Sequence, residues 1–344
     1  MPPRTPPPVE PPFEDKLRRR RRWKRLIGSQ DSIPWRFQST SLALDSKFCT
    51  GLTATAAFLI LAILGVILAN ILFHGAPGLS WRFIFSGTEK DMFDVNKAGI
   101  LPMILGTAAR VILMTLFVLP VGVITAVYLT EYAHARSPFT RIVRGAVSNL
   151  AGVPSIVFGL FGLGFFINAA GGSIDALFNP ASAEPIWAKP GMLWASLTLA
   201  VMTLPVVIVA TEESLRAIAP GLREGSLALG ATKLQTIRRV VLPQALPGIL
   251  TGGILAVSRA AGEVAPIMFT GAAYYMAELP THLHDQFMDL GYHVFILSTQ
   301  SPNIEKTRPI LYATVLALLG LTFSLNLAAV LLRARIRRRM RAIH

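Results

Sequence analysis

At 344 residues the chain is long enough for two or three soluble domains, yet it is 52% hydrophobic and only 15% charged, with a mean hydropathy of +0.52. That excess of apolar over charged residues is unusual for a water-soluble globular protein and points to one membrane-embedded unit. The formal charge of +14 would otherwise suggest a nucleic-acid binder, but 11 of the 33 Lys and Arg residues precede residue 50 and 6 lie in the last twelve, so the charge flanks an apolar body and topology accounts for it.

The first segment, residues 1–50, reads as a basic, proline-rich tail. Met1–Pro12 will not pack, and Arg18–Arg25 is nearly all cationic, as expected of a stretch pressed against anionic membrane lipids. The single cysteine, Cys49, excludes an intramolecular disulfide framework and a multi-cysteine zinc site. Gly51–Phe73 follows with no charge in 23 residues, long enough to cross a bilayer and longer than the apolar core of a cleavable signal peptide.

Five more stretches meet the spanning test. Ala98–Thr130 is too long for one ordinary span, so Ala98–Thr107, containing Pro102, is expected to be an interfacial approach and Ala108–Thr130 the second span. Leu150–Ala169 is the third, with Gly159, Gly162 and Gly164 letting neighbours approach closely. Met192–Thr211, Pro247–Thr270 and Pro309–Leu332 complete the set of six. If the N-terminus is cytoplasmic, segments 1–50, 131–149, 212–246 and 333–344 are inner and carry 25 Lys or Arg, against 6 in the outer loops 74–97, 170–191 and 271–308. This asymmetry predicts both termini inside.

The inner loop between spans four and five holds Arg223-Glu224-Gly225-Ser226-Leu227-Ala228-Leu229-Gly230-Ala231-Thr232 and runs on to Val240-Val241-Leu242-Pro243. Gly230 is placed to end one short helix in a left-handed conformation, and Thr232 with Gln235 has capping-box spacing to open a second. Leu234, Ile237 and Val241 then fall on one face, with Arg238 and Arg239 facing away. A bent, charged helix pair suits a groove on a cytoplasmic partner, although an amphipathic linker lying on the bilayer has the same pattern.

This stretch resembles the EAA loop of bacterial ABC importer permeases, in which E-A-A is followed after three residues by G, and after nine more by I, one residue, and L-P. Glu224, Gly230, Val240, Leu242 and Pro243 fall on that spacing without a gap, with Gly225 and Ser226 replacing the two alanines and Val240 the isoleucine. Three further runs resemble PstA-type phosphate permeases: Val153–Gly162, Thr203–Val207 and Arg259–Pro266, the last with Val264 where threonine is commoner. The resemblance covers about Ala98–Leu332. It implies an all-α membrane protein whose six transmembrane helices form a type I ABC importer (MetI-like) permease bundle, with a permease domain at 51–332 and a basic tail at 333–344. It also implies that Glu224, Gly225, Ser226, Gly230, Val240, Leu242 and Pro243 dock onto the ATPase. The implied partners are a PstC-like second permease, a cytoplasmic PstB-like ATPase dimer and an extracytoplasmic PstS-like phosphate-binding protein. The alternatives are a permease for another oxyanion of the molybdate or sulfate class, and an ion-coupled carrier.

Charges inside the membrane are costly and mark interior or wet positions. Arg259 and Glu263, four apart, are expected on one face of the fifth helix, where Arg259 either meets a passing anion with Glu263 weakening the site, or the two merely pair with each other. Arg110, near the outer end of the second span, is expected to snorkel to the headgroups or to guide anions into the outer mouth. Glu131, Glu212 and Glu213 at inner helix ends need no role beyond solvation or loop pairing. His282 and His284 would share a side only on an extended segment, with only Asp285 adjacent, so no metal site is expected. No phosphate loop, nucleophile elbow or H-E-x-x-H motif occurs, so no catalytic residue and no cofactor is assigned to the chain, and ATP with Mg is expected on the partner ATPase.

Overall fold

A computed structural model describes residues 39–87, 93, 98–134, 136–180 and 184–341. The chain divides into units Met1–Val66 and Ile67–His344. Of the first unit, the described part is helical from Ser39; the predicted proline-rich and cationic stretches lie outside the described residues, as do the last three residues.

Among the described residues, six helices are long and apolar enough to cross a membrane. They are α1 (Ser39–Gly75), α2 (Leu101–Tyr132), α4 (Ser155–Phe178), α5 (Met192–Arg216), α7 (Lys233–Ala261) and α10 (Ile304–Arg341). Between them lie α3 (Pro138–Leu150), α6 (Pro220–Ala228), α8 (Ala265–Thr270) and α9 (Leu290–Thr299). Among the described residues there is no strand beyond one isolated bridge, Ala272 to Phe287.

Several predicted boundaries move. Pro102 does not end an interfacial segment but occupies the first turn of α2, where its missing N–H leaves no bond unmade, so α2 is one helix from Leu101. The third span starts at Ser155, because Pro154 is extended and separates it from the strongly amphipathic α3. The fifth span begins earlier and ends earlier than expected: α7 runs to Ala261, Gly262–Val264 breaks it, and Pro266 opens the short α8.

The bundle is built around α5, which packs on both α2 and α7. Met103, Thr107, Arg110, Val111, Met114, Val118, Gly122 and Ala126 form the buried stripe of α2 at helical spacing. A side chain at Gly122 would meet Val207 of α5 at 2.6 Å, and one at Gly252 would meet Ala210 at 2.7 Å, so small residues set these crossings. Gly159 and Gly162 do the same for α4 against α8 and Thr198, as expected, whereas Gly164 faces open space. Several buried hydroxyls are satisfied within their own helix: Ser196, Thr198 and Thr203 each donate to the carbonyl four residues earlier.

Candidate functional site

Two clusters of charge are placed by this bundle. The first is the loop between α5 and α7. Pro220 opens α6, and Gly230 ends it with φ +82°, a left-handed conformation that costs a side-chain-bearing residue about 1–2 kcal/mol. Its N–H bonds the Leu227 carbonyl, and Ala231 N–H bonds that of Ser226. Thr232 and Gln235 then form a reciprocal capping box at the start of α7. The Ser226 and Thr236 hydroxyls, 2.9 Å apart, close the bend between the two helices.

Arg223 fastens this hairpin to the bundle. Its guanidinium donates to Glu131 at the end of α2 (2.9 and 3.2 Å) and to the carbonyls of Leu215 and Ile218 where α5 ends (2.7 and 2.9 Å). Both carbonyls lie where α5 ends, so the cation also complements the negative end of the helix dipole. Beside it, Glu212 accepts from Arg144 of α3 (3.0 Å) and from Arg216 (2.9 Å), while Arg144 also reaches the Leu129 carbonyl. Glu131 and Glu212 thus pair with loop and helix arginines.

Of the predicted docking residues, Glu224, Gly225 and Gly230 are exposed, Ser226, Val240, Leu242 and Pro243 half-buried. Ile237 and Val241 are buried, but Leu234 is 65% exposed, so the expected face is not continuous. In the first turn of α7, Lys233, Leu234 and Gln235 are exposed, and burial begins at Thr236. Leu222, Leu227, Leu229 and Leu234 consequently present apolar surface around Glu224. A cavity of about 530 Å³ lies nearby, with Arg144, Glu212, Pro205, Val209 and Leu255 in its wall.

The second cluster is fully buried. Arg110 does not snorkel: its side chain has no exposed surface, and Nε lies 2.7 Å from Asp289 Oδ2. Nη1 and Nη2 donate to the carbonyls of Ala260 and Ala261, the last two residues of α7. The physical reason is that the buried stripe of α2 carries Arg110 inward, where the break after Ala261 supplies acceptors and Asp289 supplies the counter-charge. Asp289 is used on both oxygens. Oδ2 also accepts from Thr107, while Oδ1 accepts from the amides of Gly291 and Tyr292, capping α9. Asp289 and Thr107 were not among the residues singled out from sequence, although an Asp directly before the apolar run Leu290–Leu297 is a helix-start signal.

Arg259 and Glu263 do come together, at 3.5 Å, but across the end of α7 rather than along one helix face. Arg259 keeps nearly half of its side chain exposed, while Glu263 sits in the break beside it. Arg110 lies close in the fold without joining them, since its donors are committed to Asp289 and the α7 carbonyls.

Comparison with known proteins bears on the family and the fold. Residues 118–341 match the model of the family described as "Binding-protein-dependent transport system inner membrane component". The probable ABC transporter permease protein YqgI of Bacillus subtilis is 33% identical over 66% of this chain and 70% of its own length. The phosphate transport system permease protein PstA 1 of Mycobacterium tuberculosis is 30% identical over 81% of this chain and 83% of its own. In three dimensions, a bacterial ABC transporter involved in import of the acidic polysaccharide alginate superposes with a TM-score of 0.60 over 87% of this chain and 99% of the matched one, at 13% identity, a likeness of fold alone.

Proposed function

The chain belongs to the family of binding-protein-dependent transport system inner membrane components, and from that premise we propose that it is the permease subunit of an ATP-driven importer of inorganic phosphate. The phosphate assignment is supported by similarity to PstA permeases over most of the chain. The observation that carries the coupling mechanism is the bent hairpin α6–α7, which presents Glu224 among exposed leucines while Arg223 ties it to the ends of α2 and α5. An ATPase docked on the leucines and Glu224 pulls on two spans through one guanidinium. The 25-to-6 split of basic residues supports a cytoplasmic location for this hairpin and for both termini at the plasma membrane.

The other components of the proposed assembly are a PstC-like permease, a PstB-like ATPase dimer that holds ATP and Mg, and a PstS-like binding protein outside. The half-exposed Arg259 is the cation offered to the passing anion. Glu263, 3.5 Å away, competes for it and keeps the site weak enough to release its cargo. Arg110, by contrast, holds together the elements that position this pair.

The test is phosphate uptake by cells lacking this chain and other phosphate systems, restored with wild type, Glu224→Lys or Arg259→Gln. Wild type is expected to restore uptake, and both variants are expected to reach the membrane and fail. Failure of the wild-type chain to restore phosphate uptake rejects the substrate. Full uptake with Glu224→Lys rejects the docking role, and full uptake with Arg259→Gln removes Arg259 from the path.

A further inference from the structure

The segment between α8 and α9, residues 271–289, is where a two-residue histidine spacing can converge. Its backbone is seated on the start of α5: Met192 N–H bonds the Asp285 carbonyl (2.8 Å) and Leu193 N–H that of Leu283 (2.9 Å). Gly191 lies so close that a side chain there would meet the His284 carbonyl at 2.5 Å. Ala273 N–H to the Phe287 carbonyl and Phe287 N–H to that of Gly271 close the segment's base.

On this frame the rings of His282 and His284 stack at 5.0 Å with 21° between their planes. His282 Nδ1 lies 3.5 Å from Asp285 Oδ2, and His284 Nε2 lies 3.5 Å from Oδ1. One donor atom from each residue falls within 4.8 Å of the other two. A tetrahedral ion with bonds of about 2.0–2.2 Å holds its donors roughly 3.4 Å apart, close to the distance of each imidazole nitrogen from its own carboxylate oxygen. The carboxylate is oriented by the His282 and Thr281 amides, which donate to Oδ2. These bonds, the His282 amide foremost, hold its pKa below the usual carboxylate value although burial opposes them. Trp187 packs edge-on against His284 and fixes its ring plane.

We propose that His282, His284 and Asp285 form a binding site for a first-row divalent transition metal, zinc being the best match to two imidazoles, one carboxylate and an open fourth position. Both imidazoles and Oδ1 meet at one ion when His282, the most exposed of the three, gives up the Thr281 hydroxyl 2.9 Å from its Nδ1 and turns toward His284. Pro280, Thr281 and His282 also line a cavity of about 260 Å³ with Leu105 and Gly106 of α2 and Met192 of α5. Metal at this site would stiffen the wall of that cavity and the seat of the segment on α5.

The experiment uses the full chain, purified in detergent without a polyhistidine tag and dialysed against zinc, with bound metal counted by mass spectrometry. Cobalt(II) substituted for zinc reports coordination through its visible d–d absorption. Wild type is expected to retain one zinc per chain and to show the intense bands of a tetrahedral N/O site. His282→Ala, at an exposed position, should fold normally and lose both signals, as should Asp285→Asn. His134→Ala, exposed and distant in sequence, should keep them. Wild-type chain without zinc, or zinc retained one-to-one by folded His282→Ala, overturns the proposal.

Discussion

Arg110 and Arg223 use the same arrangement at two places along α2. Each guanidinium gathers two carbonyls from the end of a helix and one distant carboxylate: Ala260, Ala261 and Asp289 for Arg110, Leu215, Ile218 and Glu131 for Arg223. Arg110 and Glu131 are 21 residues apart, about 30 Å at 1.5 Å per residue, so α2 is clasped near both ends. The surroundings differ. Arg110 and Asp289 are entirely buried, whereas Arg223 and Glu131 keep 21% and 11% of their side-chain surface. In the apolar interior, removing one partner strands a charge; at the partly wet end, water takes the partner's place. The first clasp therefore holds the fold and the second can carry motion.

The comparison breaks most sharply at Asp289. Asp289→Ala leaves Arg110 uncompensated and uncaps α9, and a loss of about 3–5 kcal/mol is expected, read as failure to accumulate in membranes or a large drop in the unfolding midpoint in detergent. Asp289→Asn should be milder, since an amide oxygen can still cap α9. At the other clasp, Arg223→Ala should cost only about 1 kcal/mol of stability, because the site is partly solvated, yet abolish phosphate uptake. Parallel thermal-shift and uptake assays on the two variants separate holding from transmitting. Gly230→Ala should lower uptake through the strained left-handed bend, with a stability cost of about 1–2 kcal/mol. Thr232→Ala removes one cap and should cost about 1 kcal/mol, measured as a small midpoint shift.

What could be read from the chain follows the physics of each region. Span number follows from the apolar runs, and the bend from Gly230, Thr232 and Gln235, because local backbone preference decides them. Boundaries near proline were misplaced where one residue type serves two purposes. Pro102 opens a helix and Pro154 precedes one, and only packing tells them apart. Arg110 was misread for a related reason. Its distance from the end of an apolar run suits snorkelling, while its place on the Met103–Thr107–Met114–Val118 stripe points inward. The counter-charge that makes burial affordable is 179 residues away, so no local pattern could announce Asp289 as its partner. The Arg259–Glu263 pair was legible as a contact, but the helix break through which it forms was not.

The most direct test of the coupling account is phosphate uptake by the assembled complex carrying Arg223→Ala, with co-purification of the ATPase measured on the same preparation. The account predicts that the ATPase still co-purifies, since Glu224 and the exposed leucines remain, while uptake falls to the level of cells without the chain. Wild-type uptake by a complex that retains the ATPase would contradict it, because the hairpin would then move the spans without the guanidinium that ties it to α2 and α5.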